Sequence, residues 1–337
     1  MDFACEKTVL FSNRDYNWFL PFLIVLLISI LNLIWLKNYP PVAVDEGSQT
    51  SIALNLFDSS KNINRIGIDV IDKLNKSSLI MSLLLQASFY VGGVTLLAGR
   101  VMMWLFGILL LILIFVLTRY LYDSKTALLS LLLLAVSEIF FFTSHLIRGD
   151  IPLAVMALLS FFLLVKGINE NKNGFFFLSG ITIGFGFEAH PNALLFALAM
   201  GVMILITQRF KFWKNLHFLL FVTGGICFVT FYIFFWFLPN FKDWPVIIKF
   251  ANTQDHPVPI FSYGIIEMFV NEFHRYKDYF FHKYLITLAL ILSIVFLSFR
   301  KEKKDLFILY FLVLLFLLFT LLASNKDIKY LVSIYPF

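Results

Sequence analysis

The chain has 337 residues, 60% of them hydrophobic and 14% charged, with 42 phenylalanines and a mean hydropathy of +0.86. Soluble domains hold about 45–50% apolar and about 25% charged residues, so a soluble enzyme is excluded, and two cysteines, Cys5 and Cys227, exclude a disulfide scaffold. The net charge of +6 is not gathered into one basic patch, which argues against a nucleic-acid partner and makes the charge a reporter of membrane topology.

Nine apolar segments predict membrane helices, because in hydrocarbon the backbone must satisfy its own hydrogen bonds. The first, 19–36, is followed by Lys37-Asn38-Tyr39-Pro40-Pro41 rather than a small-residue cleavage site, so it reads as a retained anchor. Residues 37–100 form a long loop carrying Asp45-Glu46, expected in an extended segment after the two prolines. Within it, 79–90 is apolar but places Ser82, Gln86 and Ser88 at helical spacing, which suits a helix in the membrane interface. Gly92-Gly93 and Arg100 before the next apolar run favour that reading over another span.

The next segments are 101–118 and 127–143, the latter enclosing Glu138. His145-Leu146-Ile147-Arg148-Gly149-Asp150 then leads into 151–165. Segments 175–187 and 192–207 are expected to be two helices meeting at Glu188-Ala189-His190-Pro191, although 13 residues is short for a span. Segment 216–238, a second long loop at 239–283, and segments 284–299 and 306–323 complete the chain.

Placing 1–18, 119–126, 166–174, 208–214 and 300–305 on one side gathers 13 Lys and Arg against 7 Asp and Glu there, and leaves the remaining residues neutral. The positive-inside rule makes that side cytoplasmic. Loops 37–100 and 239–283 then lie outside. The prediction is a single all-α integral membrane domain over 1–337, a polytopic bundle of about nine transmembrane helices with interfacial helices in the first outer loop.

Acidic residues gather at the outer helix ends: Asp45, Glu46, Asp150 and Glu188. Ionisable groups at membrane depth are costly and usually face a watery cavity, so the cluster is a candidate active site. Asp150 is equally suited to opening a helix, where a carboxylate complements the dipole. Arg148 beside that helix start could hold a phosphate, or pair with Glu138 or Asp150. His190 with Glu188, or His256 with Asp255, could bind a metal, but neither has diagnostic spacing. No Gly-rich phosphate loop, nucleophile triad or paired-Cys motif occurs.

Val44-Asp45-Glu46-Gly47, Gly92-Gly93-Val94 with Leu97-Ala98-Gly99-Arg100, Arg148-Gly149-Asp150-Ile151-Pro152-Leu153, and Lys326-Asp327-Ile328-Lys329-Tyr330-Leu331 with Pro336 occur in this order. The succession resembles the polytopic glycosyltransferases of the C-type fold, in particular bacterial relatives of protein O-mannosyltransferases and of the lipid A aminoarabinose transferase (glycosyltransferase family 39). It departs from them in three places. Ser77-Ser78-Leu79 stands where a proline-rich stretch is usual, Lys329 stands where Arg is usual, and the family continues through further helices beyond the point matching Phe337.

The resemblance implies transfer of a sugar from a polyprenyl-phosphate-linked donor to a lipid, glycan or protein acceptor, at the outer face of a bacterial plasma membrane and among membrane lipids. It implies catalytic roles for Asp45, Glu46 and Asp150, with Asp45 favoured as general base. It implies substrate contacts from Arg100, Arg148, His190, Lys326, Lys329 and Tyr330. It implies no definite cofactor, and a divalent metal sharing the phosphate role stays open. Residues 326–336 are expected to be an outer turn leading to a further helix, so that these 337 residues lack a complete active site. The alternatives are a transporter or flippase for a lipid-linked glycan, which repeated halves would favour and which finds no repeat here, and a non-catalytic membrane scaffold.

Overall fold

The computed structural model describes residues 18–54, 79–207, 215–234 and 302–322, with the single positions 238, 270, 277, 295 and 299. Among the described residues there is no strand. The helices are α1 (Phe19–Trp35), α2 (Val44–Leu54), α3 (Leu79–Gly92), α4 (Leu96–Leu121), α5 (Ser124–Ala135), α6 (Glu138–Ser144), α7 (Asp150–Glu170), α8 (Asn173–Ala189), α9 (Ala193–Thr207), α10 (Leu216–Tyr232) and α11 (Lys303–Leu322).

Among the described residues two helices, α4 and α7, are each long and apolar enough to cross a bilayer alone, and α5 with α6 meets the same length and hydropathy only as a bent pair. The expected segments 284–299 and most of 239–283 lie outside the described residues. Outward-facing side chains are apolar, as on α1, where Phe19, Phe22 and Ile34 are exposed. Such a surface suits hydrocarbon rather than water.

Two predicted elements differ from the sequence expectation. Asp45-Glu46 is helical, near the start of α2, not extended. Segment 127–143 is not one helix: it bends by 62° between α5 and α6. Ser137 caps the new helix, its side chain accepting from Phe140 N at 3.2 Å, and Glu138 occupies the first turn. A Ser followed by an acid is a helix-start signal, and here it overrides the continuous hydrophobicity.

The 14-residue α3 measures about 21 Å at 1.5 Å per residue, too short to cross about 30 Å of hydrocarbon. Gly93, at φ +73°, turns the chain from α3 into α4, a backbone conformation that glycine adopts without a Cβ penalty. Thr95 caps α4 by accepting from Ala98 N, and the Ser88 hydroxyl donates to the Ala98 carbonyl.

Helices α8 and α9 are separate and antiparallel. The Ser160 hydroxyl on α7 reaches Ser179 O on α8 at 2.8 Å and Met200 Sδ on α9 at 3.3 Å. Positions 179 and 200 flank the 190–192 turn nearly symmetrically, so equal depth means the chain has folded back. Ser179 returns a hydrogen bond to Ser160 O at 2.8 Å. Helices α8 and α10 touch backbone to backbone: a Cβ on Gly180 would lie 2.0 Å from Phe221 O, and one on Gly224 2.2 Å from Phe177 O. Small residues permit such approach where hydrocarbon supplies no hydrophobic drive.

The helix ends sort into two groups. At one end, Tyr122 donates to Asp305 Oδ1 at 2.9 Å, Lys304 lies over the Tyr122 ring, and Arg119 lies over the Trp18 ring. The other end gathers α2, α3, the start of α4, and the 145–150 and 189–192 turns. The candidate residues lie there.

Candidate active site

Arg100, in the second turn of α4, is wholly buried, as is Glu46 at 1% exposure. The guanidinium meets the carboxylate in a two-pronged pair, Nε to Oε1 at 2.9 Å and Nη2 to Oε2 at 2.8 Å. Its other hydrogen bonds go to main-chain carbonyls, Nη1 to Leu36 O at 3.1 Å and Nη2 to Pro40 O at 2.8 Å. Each Glu46 oxygen also accepts a backbone N–H, from Ile147 at 3.2 Å and from Ala43 at 3.0 Å. Thus Glu46 and Arg100, expected to face substrate, direct their polar atoms at each other and at the backbone.

One residue beyond Ile147, Arg148 Nε donates to Asp150 Oδ2 at 2.8 Å, and Asp150 was one of its expected partners. Asp150 opens α7, where its charge complements the helix dipole. Its Oδ1 is buried with no hydrogen-bond partner. Gly149 sits between them against the neighbouring turn: a Cβ there would lie 1.9 Å from Ala189 O. That approach brings His190 beside the pair. Burial pushes the His190 imidazole below its ordinary value, with the Asp150 charge opposing and the Arg148 charge reinforcing. Its Nδ1 accepts from Asn192 N at 3.1 Å, so the proton of the neutral ring lies on Nε2.

Glu188, two residues before His190, is engaged by α3. It is buried, and its Oε2 accepts from Ile80 N at 3.3 Å, in the first turn of α3. A carboxylate from α8 therefore caps the interfacial helix. Among the described residues no group of three His, Cys, Asp or Glu side chains is placed to hold a metal.

The structure thus brings Arg148, Asp150 and His190 together, and places the α2 backbone at Asp45 one residue from the Arg100-bound Glu46. Lys326, Lys329, Tyr330 and His256 lie outside the described residues. Sequence reasoning missed the Glu46–Ile147 and Gly149–Ala189 contacts. The available signal was Arg100 itself, because a cation at a membrane helix start must find a buried acceptor.

Residues 76–236 match the family described as dolichyl-phosphate-mannose-protein mannosyltransferase. No curated protein sequence matches the chain. Among solved structures, ArnT from Cupriavidus metallidurans bound to undecaprenyl phosphate has a TM-score of 0.64 at 15% identity, covering 94% of this chain and 57% of that one. Its apo state gives 0.64 at 16% with the same coverage. The Archaeoglobus fulgidus oligosaccharyltransferase, in complex with Zn and sulfate, gives 0.54 at 12%, covering 93% of this chain and 48% of that one. The chain therefore spans little more than half the length of ArnT, with the same membrane fold. It shares the membrane fold of these solved structures and matches the mannosyltransferase family model over residues 76–236.

Proposed function

We propose that the chain is a glycosyltransferase that moves a sugar from a polyprenyl-phosphate-linked donor to a lipid, glycan or protein acceptor, at the outer face of a bacterial plasma membrane. Residues 1–337 act as one domain, with loops 37–100 and 239–283 outside. The observation carrying this reading is the meeting of Arg148, Asp150 and His190 at the bundle end that also holds the Asp45 turn.

In the reaction, an acceptor hydroxyl or amine attacks the anomeric carbon, the bond from that carbon to the phosphate oxygen breaks, and polyprenyl phosphate leaves with the electron pair. Asp45 takes the acceptor proton; an ordinary aspartate, with a pKa of about 3.9, is ionised at neutral pH. Arg148 sets its guanidinium charge against the leaving phosphate while Nε stays on Asp150, which fixes the guanidinium plane. Asp150 Oδ1 accepts a hydrogen bond from a sugar hydroxyl, with His190 beside it. Lys326, Lys329 and Tyr330 add phosphate contacts from the later outer turn, and a divalent metal would share the same charge. ArnT with undecaprenyl phosphate bound supports a C55 prenyl donor as the first probe.

The test uses the protein as its gene encodes it, in membranes, with a panel of undecaprenyl-phosphate-linked sugars. Mass spectrometry reads release of undecaprenyl phosphate and glycosylation of envelope lipids, glycans and proteins, with and without the gene. Asp45→Asn should abolish transfer at unchanged expression and donor binding. Near wild-type transfer by that variant would remove Asp45 as the base.

A further inference from the structure

We propose that the buried Arg100–Glu46 pair is a positioning device that holds α2 in register with the 145–150 turn, and so sets Asp45 against Arg148. This deepens the glycosyltransferase reading and rests on it for the roles of those two residues. Arg100 and Glu46 themselves touch neither donor nor acceptor.

Both members of the pair bind main chain as well as each other. All four acceptor sites of the Glu46 carboxylate are filled, two by the guanidinium and two by Ala43 N and Ile147 N. The guanidinium in turn holds the carbonyls of Leu36 and Pro40. One ion pair therefore fastens four main-chain points: the end of α1, two points in the 37–43 connection, and the turn before α7. Breaking a buried pair on one side leaves an uncompensated charge, whereas apolar residues of equal volume often match the stability of the whole pair. What an apolar replacement cannot do is bond four backbone groups at once. The pair's specific contribution is register.

The positions it fastens are next to the reacting groups. Glu46 follows Asp45 directly, and Ile147 precedes Arg148 directly. The same Glu46 oxygen, Oε1, contacts both Arg100 and Ile147 N. A displaced Glu46 therefore releases α2 from the turn that carries the phosphate-binding arginine, while the Arg148–Asp150 bond stays intact. Because an error of about 1 Å in a reacting geometry can cost on the order of 100-fold in rate, loss of the pair should appear in turnover rather than in donor affinity.

The test combines spectroscopy with kinetics. Spin labels replace Gly47, which is exposed on α2, and Phe187, in the last turn of α8 beside the Gly149 contact, after Cys5 and Cys227 are changed to serine. Electron–electron double resonance should give one narrow distance distribution in the parent, and a broadened or shifted one in Glu46→Gln and in the milder Arg100→Lys. Without labels, the same two variants should lose about tenfold to 100-fold in kcat, with the donor KM within about threefold of wild type. Unchanged distance and rate in both variants would overturn the proposal. So would a raised donor KM with the parent distance retained, since that would mean direct substrate contact. If the parent transfers no sugar while the variants still broaden the distance, the register function stands and the glycosyltransferase reading falls.

Discussion

Replacing Gly149 by alanine would place a Cβ 1.9 Å from the Ala189 carbonyl oxygen and 2.8 Å from its carbon. Gly149 has φ −74° and ψ −4°, a conformation any L-residue adopts, so the glycine is required by space and not by backbone freedom. Real Cβ contacts essentially never fall below 3.0 Å, so the two turns must part by about 1 Å, with main chain on both sides and no flexible side chain to yield. Overpacking of this kind costs about 1–3 kcal/mol, and rigid surroundings favour the upper end. The same shift draws Arg148 and Asp150 away from His190, and a misplacement of about 1 Å can lower turnover by about 100-fold. Gly174→Ala is the control, because nothing lies within 4 Å of a Cβ there. Thermal unfolding in detergent and release of undecaprenyl phosphate from a sugar donor should both fall for Gly149→Ala and hold for Gly174→Ala. Matching behaviour of the two variants would mean that the turns are not in contact.

Arg148→Ala should weaken donor use far more than Arg148→Lys, since lysine keeps the charge while losing the planar fork; equal, near-normal activity in both would end the phosphate assignment. Because His190 is held neutral below its ordinary value of 6.5, the unfolded chain takes up a proton first on acidification. Its contribution to stability is complete above about pH 6.5 and declines as pH falls toward the lower folded value, so His190→Gln should flatten the acid side of a stability–pH curve, and an unaltered curve would contradict the burial. Cysteines placed at 61 and 249 should be labelled from outside the cell and one at 302 should not; the reverse pattern would invert the topology.

The helices were legible where hydrophobic runs end in charge or proline, and less so where polar signals sit inside an apolar run. Ser137-Glu138 announces a helix start, yet the surrounding leucines and phenylalanines conceal the 62° break. Pro40-Pro41 suggested extended chain through Asp45, whereas the helix begins at Val44, three residues beyond Pro41. Arg148 and Asp150 could be read as a unit because they are two residues apart. Arg100 and Glu46 are 54 residues apart, and Glu188 and Ile80 are 108 apart. Composition shows that such buried charges need partners but not which ones, since pairing is decided by how the helices fold back. His190 joins Arg148 only through the α7–α8 hairpin, whose close turn contact depends on Gly149 having no side chain.

The glycine seam between α8 and α10 has a mechanical consequence. With Gly180 against Phe221 O and Gly224 against Phe177 O, neither helix can slide or rotate on the other without first separating, so the two travel as one body. Yielding in this bundle is left to seams built from long side chains. Between α11 and its neighbours, Phe311 lies 4.6 Å from Phe161 and Phe319 lies 5.7 Å from Phe196, centroid to centroid. Aromatic rings can change rotamer and admit an alkyl chain where a pair of touching backbones cannot. Lateral opening of the bundle is therefore to be sought along α11, while the α8–α10 unit moves as one block.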